Sequence, residues 1–112
     1  MNARAPLSLR EQYGPKSAAW TEGQFPPIVR FWSDDGSCWG VPFHQVLATN
    51  YNPAQETLLI HWSLGSILIT GPKAEAFFEQ FSEHKITLLK ADGKDILRVT
   101  MSLRQGKKQE EA

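Results

Sequence analysis

The chain has 112 residues, with 12 Lys and Arg against 12 Asp and Glu, so its formal net charge is zero. This length predicts one domain with a hydrophobic core, and an apolar content of 41% excludes disorder throughout. The balanced charge argues against a general nucleic-acid binder, because affinity for phosphates comes mainly from an excess of Lys and Arg.

The cysteine content and the lengths of the apolar runs indicate the cellular compartment of the protein. A single cysteine, Cys38, excludes an intramolecular disulfide and a Cys-rich zinc site. The first residues contain no apolar run of the kind that a secretory signal needs. The longest purely apolar runs elsewhere are short, such as Leu58-Leu59-Ile60, whereas a membrane helix needs about 20 apolar residues. We therefore expect a soluble, cytoplasmic protein that does not contact a membrane.

Residues 1–26 are predicted to form a partly irregular N-terminal arm, because glycines and prolines interrupt every periodic pattern there. A Ser-x-x-Glu spacing, typical of a capping box, favours a short helix over residues 6–13. Trp20 and Phe25 are expected to anchor the arm on the domain, since aromatic rings are costly to leave in water.

Residues 27–104 are expected to form a single domain, and residues 105–112 a frayed polar tail. The first hairpin of the domain is predicted from two runs, 28–33 and 37–41, which are rich in β-branched and aromatic residues. The sequence Asp34-Asp35-Gly36 between them is a strong turn signal.

The segment after this hairpin is less regular. Pro42 cannot donate a ladder hydrogen bond, so the second strand should lie at an edge or end there. Residues 43–51 fit either a bent strand or one helical turn, and residues 50–53 fit a turn.

Residues 56–70 are predicted to form a second hairpin, because their side chains alternate between an apolar and a mixed face. A two-residue turn at Leu64-Gly65 would place Trp62 opposite Ile67. Leu64 is unsuited to the positive φ of a type I′ turn, so the register could instead slip by one. In the predicted register one face is entirely apolar and consists of Leu58, Ile60, Trp62, Ile67 and Ile69.

Residues 72–84 are predicted to form an amphipathic helix. Gly71-Pro72 marks its start, since proline is favoured at the first helical position. His84 lies in the last turn, where positive charge suits the helix dipole. An apolar stripe follows the spacing i, i+3, i+4, i+7 and consists of Ala74, Phe77, Phe78 and Phe81.

Residues 86–91 and 95–103 are predicted to pair as a C-terminal hairpin about Asp92-Gly93, a favoured type I′ turn pair. In this register Lys90 lies opposite Asp95 and forms a cross-strand ion pair. Face alternation in the two strands agrees with the turn chemistry.

These elements together predict an α+β domain. It would contain a curved antiparallel sheet of five to six strands built from hairpins, with one amphipathic helix, about residues 72–84, packed on it before the C-terminal hairpin. The helix phenylalanines would pack on the apolar faces of the hairpins.

The spacing of polar residues shows no catalytic or metal-binding pattern. His44, His61 and His84 are too far apart in sequence to form a helical pair of metal ligands. The chain also lacks a glycine-rich phosphate loop and a Gly-x-Ser-x-Gly nucleophile elbow. We therefore expect no cofactor, no metal and no catalytic residues, although spacing does not reveal sites assembled only in three dimensions.

The zero net charge conceals an uneven distribution. The 42 residues from Phe31 to Pro72 contain no Lys or Arg, three acidic residues and six of the chain's 12 aromatic residues. These aromatic residues either fill a two-sided core or leave an apolar patch that binds a partner. The candidate binding residues are Trp32, Trp39, His44, Tyr51, His61 and Trp62.

We expect a protein-interaction or self-associating module, with a homo-oligomer as its simplest form, because the chain is neutral and rich in aromatic residues. One alternative is a small-ligand or enzymatic pocket between sheet, helix and N-terminal arm, with His44, Tyr51 and His61 near its mouth. The other is single-stranded nucleic-acid binding, in which bases stack on aromatic rings. Nucleic acid is disfavoured because the aromatic block supplies no basic groove.

Overall fold

The computed structural model describes residues 17–103, which form an α+β fold, as predicted. The strands are β1 (Trp20–Glu22), β2 (Ile28–Trp32), β3 (Cys38–Pro42), β4 (Val46–Asn52), β5 (Thr57–Trp62), β6 (Gly65–Thr70), β7 (Ile86–Lys90) and β8 (Arg98–Leu103). A 3₁₀ helix spans Phe43–Gln45, and the α-helix α1 spans Ala74–Ser82. The helix predicted over 6–13 and the tail predicted over 105–112 lie outside the described residues. No helix within residues 17–103 has the length and apolar character needed to cross a membrane.

The described strands belong to two four-stranded sheets rather than to one sheet of five to six strands. Sheet 1 has the order β1-β7-β2-β3, and sheet 2 has the order β4-β5-β6-β8. Among these strands only β2 and β7 run parallel, and every other pair is antiparallel. The single-sheet prediction fails because β7 and β8, which follow one another in sequence, enter different sheets.

The β2–β3 hairpin is confirmed, with Phe31 paired to Trp39. Its turn is stabilised by Asp35, whose Oδ1 accepts hydrogen bonds from the backbone N–H of Ser37 at 2.9 Å and from its hydroxyl at 2.6 Å. β3 lies at the edge of sheet 1, as the position of Pro42 predicts.

The β5–β6 hairpin has the predicted faces but a different register. Ile60 pairs with Ile67 rather than with Ile69. The turn is accordingly Ser63-Leu64 and not Leu64-Gly65, and neither of its residues adopts a positive φ. An even shift keeps the same side chains on each face. The apolar face is therefore buried as expected, and Leu58, Ile60, Trp62, Ile67 and Ile69 are each at most 2% exposed.

The predicted C-terminal hairpin is wrong. β7 pairs with β1 and β2 in sheet 1, whereas β8 pairs with β6 in sheet 2. Asp92 instead closes a local turn. Its Oδ1 accepts hydrogen bonds from three successive backbone N–H groups, those of residues 94–96, at 2.8–3.0 Å. Its own N–H and that of Gly93 donate to the Ile96 carbonyl oxygen. Lys90 consequently lies beside Trp32 and is not paired with Asp95.

Helix α1 buries most of its predicted apolar stripe in the core. Ala74, Phe77 and Phe81 are at most 1% exposed, and Phe78 is half-buried. Buried side chains of both sheets and of α1 form one hydrophobic cluster. Within it, Phe31 of sheet 1 meets Phe81 edge to face, with ring centroids 6.1 Å apart. The helix therefore contributes to a core that both sheets share.

Hydrogen bonds join the turn of the first hairpin to β8. The backbone N–H of Asp34 donates to the carbonyl oxygen of Val99 at 2.8 Å. The Asp34 carboxylate in turn accepts hydrogen bonds from the Val99 N–H at 3.1 Å and from Arg98 Nε at 3.2 Å. The Ser33 hydroxyl accepts a further bond from the N–H of Met101 at 3.3 Å. The two sheets are thereby coupled at one corner.

Of the two expected anchors of the N-terminal arm, Trp20 is buried and Phe25 is not. Trp20 is 7% exposed. Its Nε1 donates to Gln80 Oε1 at 3.2 Å, and its ring meets Phe77 edge-on at 5.5 Å. Phe25 is 63% exposed and meets the ring of His84 edge-on at 5.7 Å. The expectation for Phe25 is therefore wrong.

Candidate functional site

The structure does not gather the three candidate tryptophans into one patch. Trp62 is 2% exposed, and its indole N–H has no hydrogen-bond partner among the described residues. Trp39 pairs with the buried Phe31 and packs against the core. Trp32 alternates with Phe31 along β2, so it lies on the outer face of sheet 1 together with Arg30.

The other three candidates are also dispersed. His44 is exposed on the 3₁₀ helix. Tyr51 pairs with the buried Leu58 and stacks on Phe78 at 6.0 Å, so it lies on the core side of sheet 2. His61 is exposed on the opposite side of that sheet. Tyr51 and His61 therefore do not share a pocket mouth, and no group of metal-ligating side chains forms within the described residues.

The edge strands of the two described sheets differ in their protection against pairing with a further strand. β1 has three residues and ends in Glu22, β3 contains Gly40 and Pro42, and β8 carries Arg98. Short length, proline and charge all discourage edge-to-edge pairing. β4 has none of them, because its seven residues, V-L-A-T-N-Y-N, include no charged residue, proline or glycine.

β4 is open on its outer side in the part of the chain that the structure describes. Residues 47–50 are all exposed, and Leu47 is 63% exposed. A bulge at Leu47 separates the Val46–Trp62 pair from the remaining pairs with β5. Since a bulge twists a strand locally, the regular part of the edge is residues 48–52.

A groove of about 300 Å³ lies beside the first half of this edge. The Phe43 ring on one wall stacks on His84 at 3.9 Å and tilts against Phe81 at 5.3 Å. His84 Nε2 donates to the carbonyl oxygen of Pro26. These contacts hold the Phe43 ring in place on this wall of the groove. The groove is lined by Phe43, Val46, Leu47, Ala48, Thr49, Phe81 and Ser82.

Tyr51 is the titratable residue of β4. Desolvation raises the pKa of its phenol above the usual value, and the carboxylates of Glu75 and Glu56 raise it further. The phenol therefore stays neutral at physiological pH. The whole strand consequently presents an uncharged edge to a partner.

Sequence reasoning missed this edge because residues 43–51 fit two local structures equally well. A signal was nevertheless present, since residues 46–52 lie within the block without Lys or Arg and contain no Asp or Glu either. The order of strands, which makes β4 an edge, depends on pairings that no local pattern specifies.

Comparison with protein-family models, with curated proteins and with solved structures finds no match to this chain. Any conclusion about function therefore depends on the residues of this chain alone.

Proposed function

We propose that this protein is a protein-association module in which a partner adds a strand to β4. The observation that carries the proposal is the contrast between residues 48–52 of β4, which follow its bulge, and the other three described edges, each of which has a short length, a proline or a charge that β4 lacks. An unpaired strand edge displays a row of N–H and C=O groups that pair readily with another extended segment.

The groove beside β4 supports side-chain selectivity in this association. In an added strand every second side chain points to the same face. Those on the core side would reach the groove between Thr49 and Phe81. Phe43 and Phe81 give this groove apolar walls, so it favours an aliphatic or aromatic side chain. Of the six residues singled out in the sequence, only Tyr51 belongs to this surface.

The partner that we propose is a second copy of the chain. Antiparallel pairing of two β4 strands about a two-fold axis gives a closed, self-complementary interface. The absence of charge from the strand means that this arrangement brings no like charges together. Sheet 2 of one protomer would then continue into sheet 2 of its partner.

Sedimentation velocity over a wide range of protein concentration tests this proposal. We expect a dimer that dissociates on dilution, and we expect Thr49→Lys to shift the protein to the monomer, because lysine on an edge strand opposes pairing. The matched control is His61→Lys, which adds the same charge to the adjacent strand on the outer face of sheet 2. A wild-type chain that stays monomeric at high micromolar concentration contradicts the proposal, as does a Thr49→Lys variant that still dimerises.

We also propose a cytoplasmic location. Cys38 is a free thiol and is exposed on β3. An exposed unpaired thiol is compatible with a reducing compartment, where disulfides are rare.

A further inference from the structure

The outer face of sheet 1 joins an aromatic ring to two cations from different parts of the chain. Arg30 and Trp32 occupy alternate positions of β2 and share this face. β7 runs parallel beside β2, and Lys90 is the register partner of Trp32. The Lys90 ammonium lies 5.3 Å from the centroid of the Trp32 ring. The half-buried Trp32 ring thus lies beside basic side chains, although the block of residues 31–72 to which it belongs contains no Lys or Arg.

A hollow of about 290 Å³ opens beside the Trp32 ring. Pockets that enclose a whole small ligand measure ~300–1,000 Å³. The hollow therefore has room for one planar group, while the rest of a ligand would lie on the open face of the sheet. Its lining consists of Trp32, Ser33, Asp34, Gly36, Lys90 and Ala91.

The carboxylates next to this hollow are already engaged. Both oxygens of Asp34 accept hydrogen bonds, one from the Val99 N–H and the other from the Arg98 side chain. Asp35 Oδ1 accepts two hydrogen bonds from Ser37. The positive charge of Arg98, 3.2 Å from the Asp34 carboxylate, offsets that carboxylate and so reduces the repulsion that an anionic ligand would meet there.

A ring flanked by cations on an open sheet face matches the chemistry of an unpaired nucleotide. Bases of single strands stack on aromatic side chains, and basic side chains contact the backbone phosphates. The cation–π contact of an exposed lysine is weak, and its side chain is flexible. A base can therefore replace the Lys90 ammonium over the ring, and the ammonium can then contact a phosphate.

We propose that Trp32, Arg30 and Lys90 form a binding site for single-stranded nucleic acid on the outer face of sheet 1. A duplex would bind less well, because its bases are stacked and paired and do not reach the ring. This site is separate from β4, which lies at the edge of the other sheet. The inference therefore goes beyond the proposed self-association and does not depend on it.

Fluorescence anisotropy with labelled oligothymidine and oligouridine of about 12 nucleotides, and with a duplex of equal length, tests the proposal at low salt. We expect the single strands to bind more tightly than the duplex. Trp32→Ala should weaken single-strand binding by about 5-fold to 150-fold, the usual range for loss of one stacked base, and Trp32→Phe should retain most of the affinity.

The cations are tested by the salt dependence of binding. Each phosphate contact contributes about 0.7 to the slope of log K against log salt for single strands. The double variant with Arg30→Ala and Lys90→Ala should therefore lower the slope by about 1.4. Lys85→Ala is the matched control, because Lys85 is an exposed lysine paired with Glu83 at 3.3 Å, and its removal should leave the slope unchanged.

Three results would overturn this assignment. They are equal binding of duplex and single strand, unchanged affinity in a folded Trp32→Ala protein, and an unchanged salt slope in the double variant. Melting curves of Trp32→Ala and Trp32→Phe establish that the proteins are folded. Thr49→Lys should bind oligonucleotide like the wild type, which separates this site from the β4 edge.

Discussion

At Gly65 the backbone of β8 leaves no room for a side chain. A Cβ at this position would lie 2.1 Å from the carbonyl oxygen of Ser102 and 2.9 Å from the Cα of Leu103, both of which are backbone atoms. The sequence pattern assigns Gly65 to a turn, where glycine would supply conformational freedom. The structure instead uses glycine there for the close approach of two strands.

We therefore expect Gly65→Ala to destabilise the protein by about 1–3 kcal/mol, the usual cost of overpacking. Thermal unfolding measures the effect. Gly40→Ala is the matched control, because its Cβ would meet no backbone atom and only the Cγ2 of the half-exposed Ile28 side chain, at 3.3 Å. Replacement of a strand glycine by alanine is otherwise favourable by ~0.5–1 kcal/mol. Equal melting temperatures for the two variants would contradict the steric argument.

Asp92 links stability to pH. Desolvation pushes the pKa of its carboxyl upward, but hydrogen bonds from the backbone of Ile96, Lys94 and Asp95 outweigh it and hold the pKa below the usual value. A carboxyl whose pKa is lower in the folded than in the unfolded state stabilises the fold above the unfolded value, about 3.9. This contribution is lost as the pH falls through the folded value.

We expect Asp92→Asn to lower the urea midpoint at pH 7, because a neutral acceptor forms weaker hydrogen bonds than a carboxylate. The difference from the wild type should shrink as the pH is lowered below about 3.9 and the wild-type carboxyl becomes protonated. Urea titrations across this range provide the measurement. Identical midpoints at pH 7 would show that the three hydrogen bonds do not favour the charged form.

At the scale of the element, the helix and two of the three predicted hairpins could be predicted, because their determinants are close together in sequence. The turn at Asp34-Asp35-Gly36 fixes the β2–β3 pair, and the stripe that includes Phe77 and Phe81 fixes α1. The same reasoning failed for residues 86–91. This segment is a strand, as predicted, but it pairs with β1 and β2 rather than with β8, the strand that follows it in sequence.

The candidate surfaces were harder to predict from the sequence than the individual strands and the helix. Whether β4 is an edge depends on the strand order of sheet 2, and whether Lys90 lies beside Trp32 depends on a pairing between segments far apart in sequence. Turn propensity and face alternation describe neighbours along the chain, so they contain no information about either arrangement.

The helix provides a test of the shared core. Truncation of a buried phenylalanine to alanine costs about 3–5 kcal/mol, against a total stability of about 5–15 kcal/mol for a domain. We expect Phe77→Ala and Phe81→Ala each to lower the melting temperature by more than about 10 °C, since 1 kcal/mol corresponds to roughly 4–8 °C at this size.

Phe78→Ala serves as the control for these variants, since Phe78 is half-buried and stacks on Tyr51 at the rim. It should reduce the melting temperature by clearly less than the other two substitutions. Melting of Phe77→Ala and Phe81→Ala close to the wild-type temperature would contradict the placement of α1 in the core.

At the scale of the whole molecule, the two sheets share one core and are hydrogen-bonded to each other at one corner, but each sheet has its own candidate surface. The turn at Ser33 and Asp34 is bonded to β8 of the other sheet. The Trp32 face belongs to sheet 1, and the open edge of β4 belongs to sheet 2. A partner at one surface therefore leaves the other available.

The insertion of β7 between β1 and β2 has a consequence for biosynthesis. β1 and β2 do not pair with each other, and each requires β7 as its neighbour. On the ribosome, the three hairpin-connected strands β4, β5 and β6 can pair as soon as they emerge, whereas β1 must wait until residue 90 has left the exit tunnel. Such long-range pairing slows folding. β1, the first of the described strands to be translated, is thus among the last to reach its place.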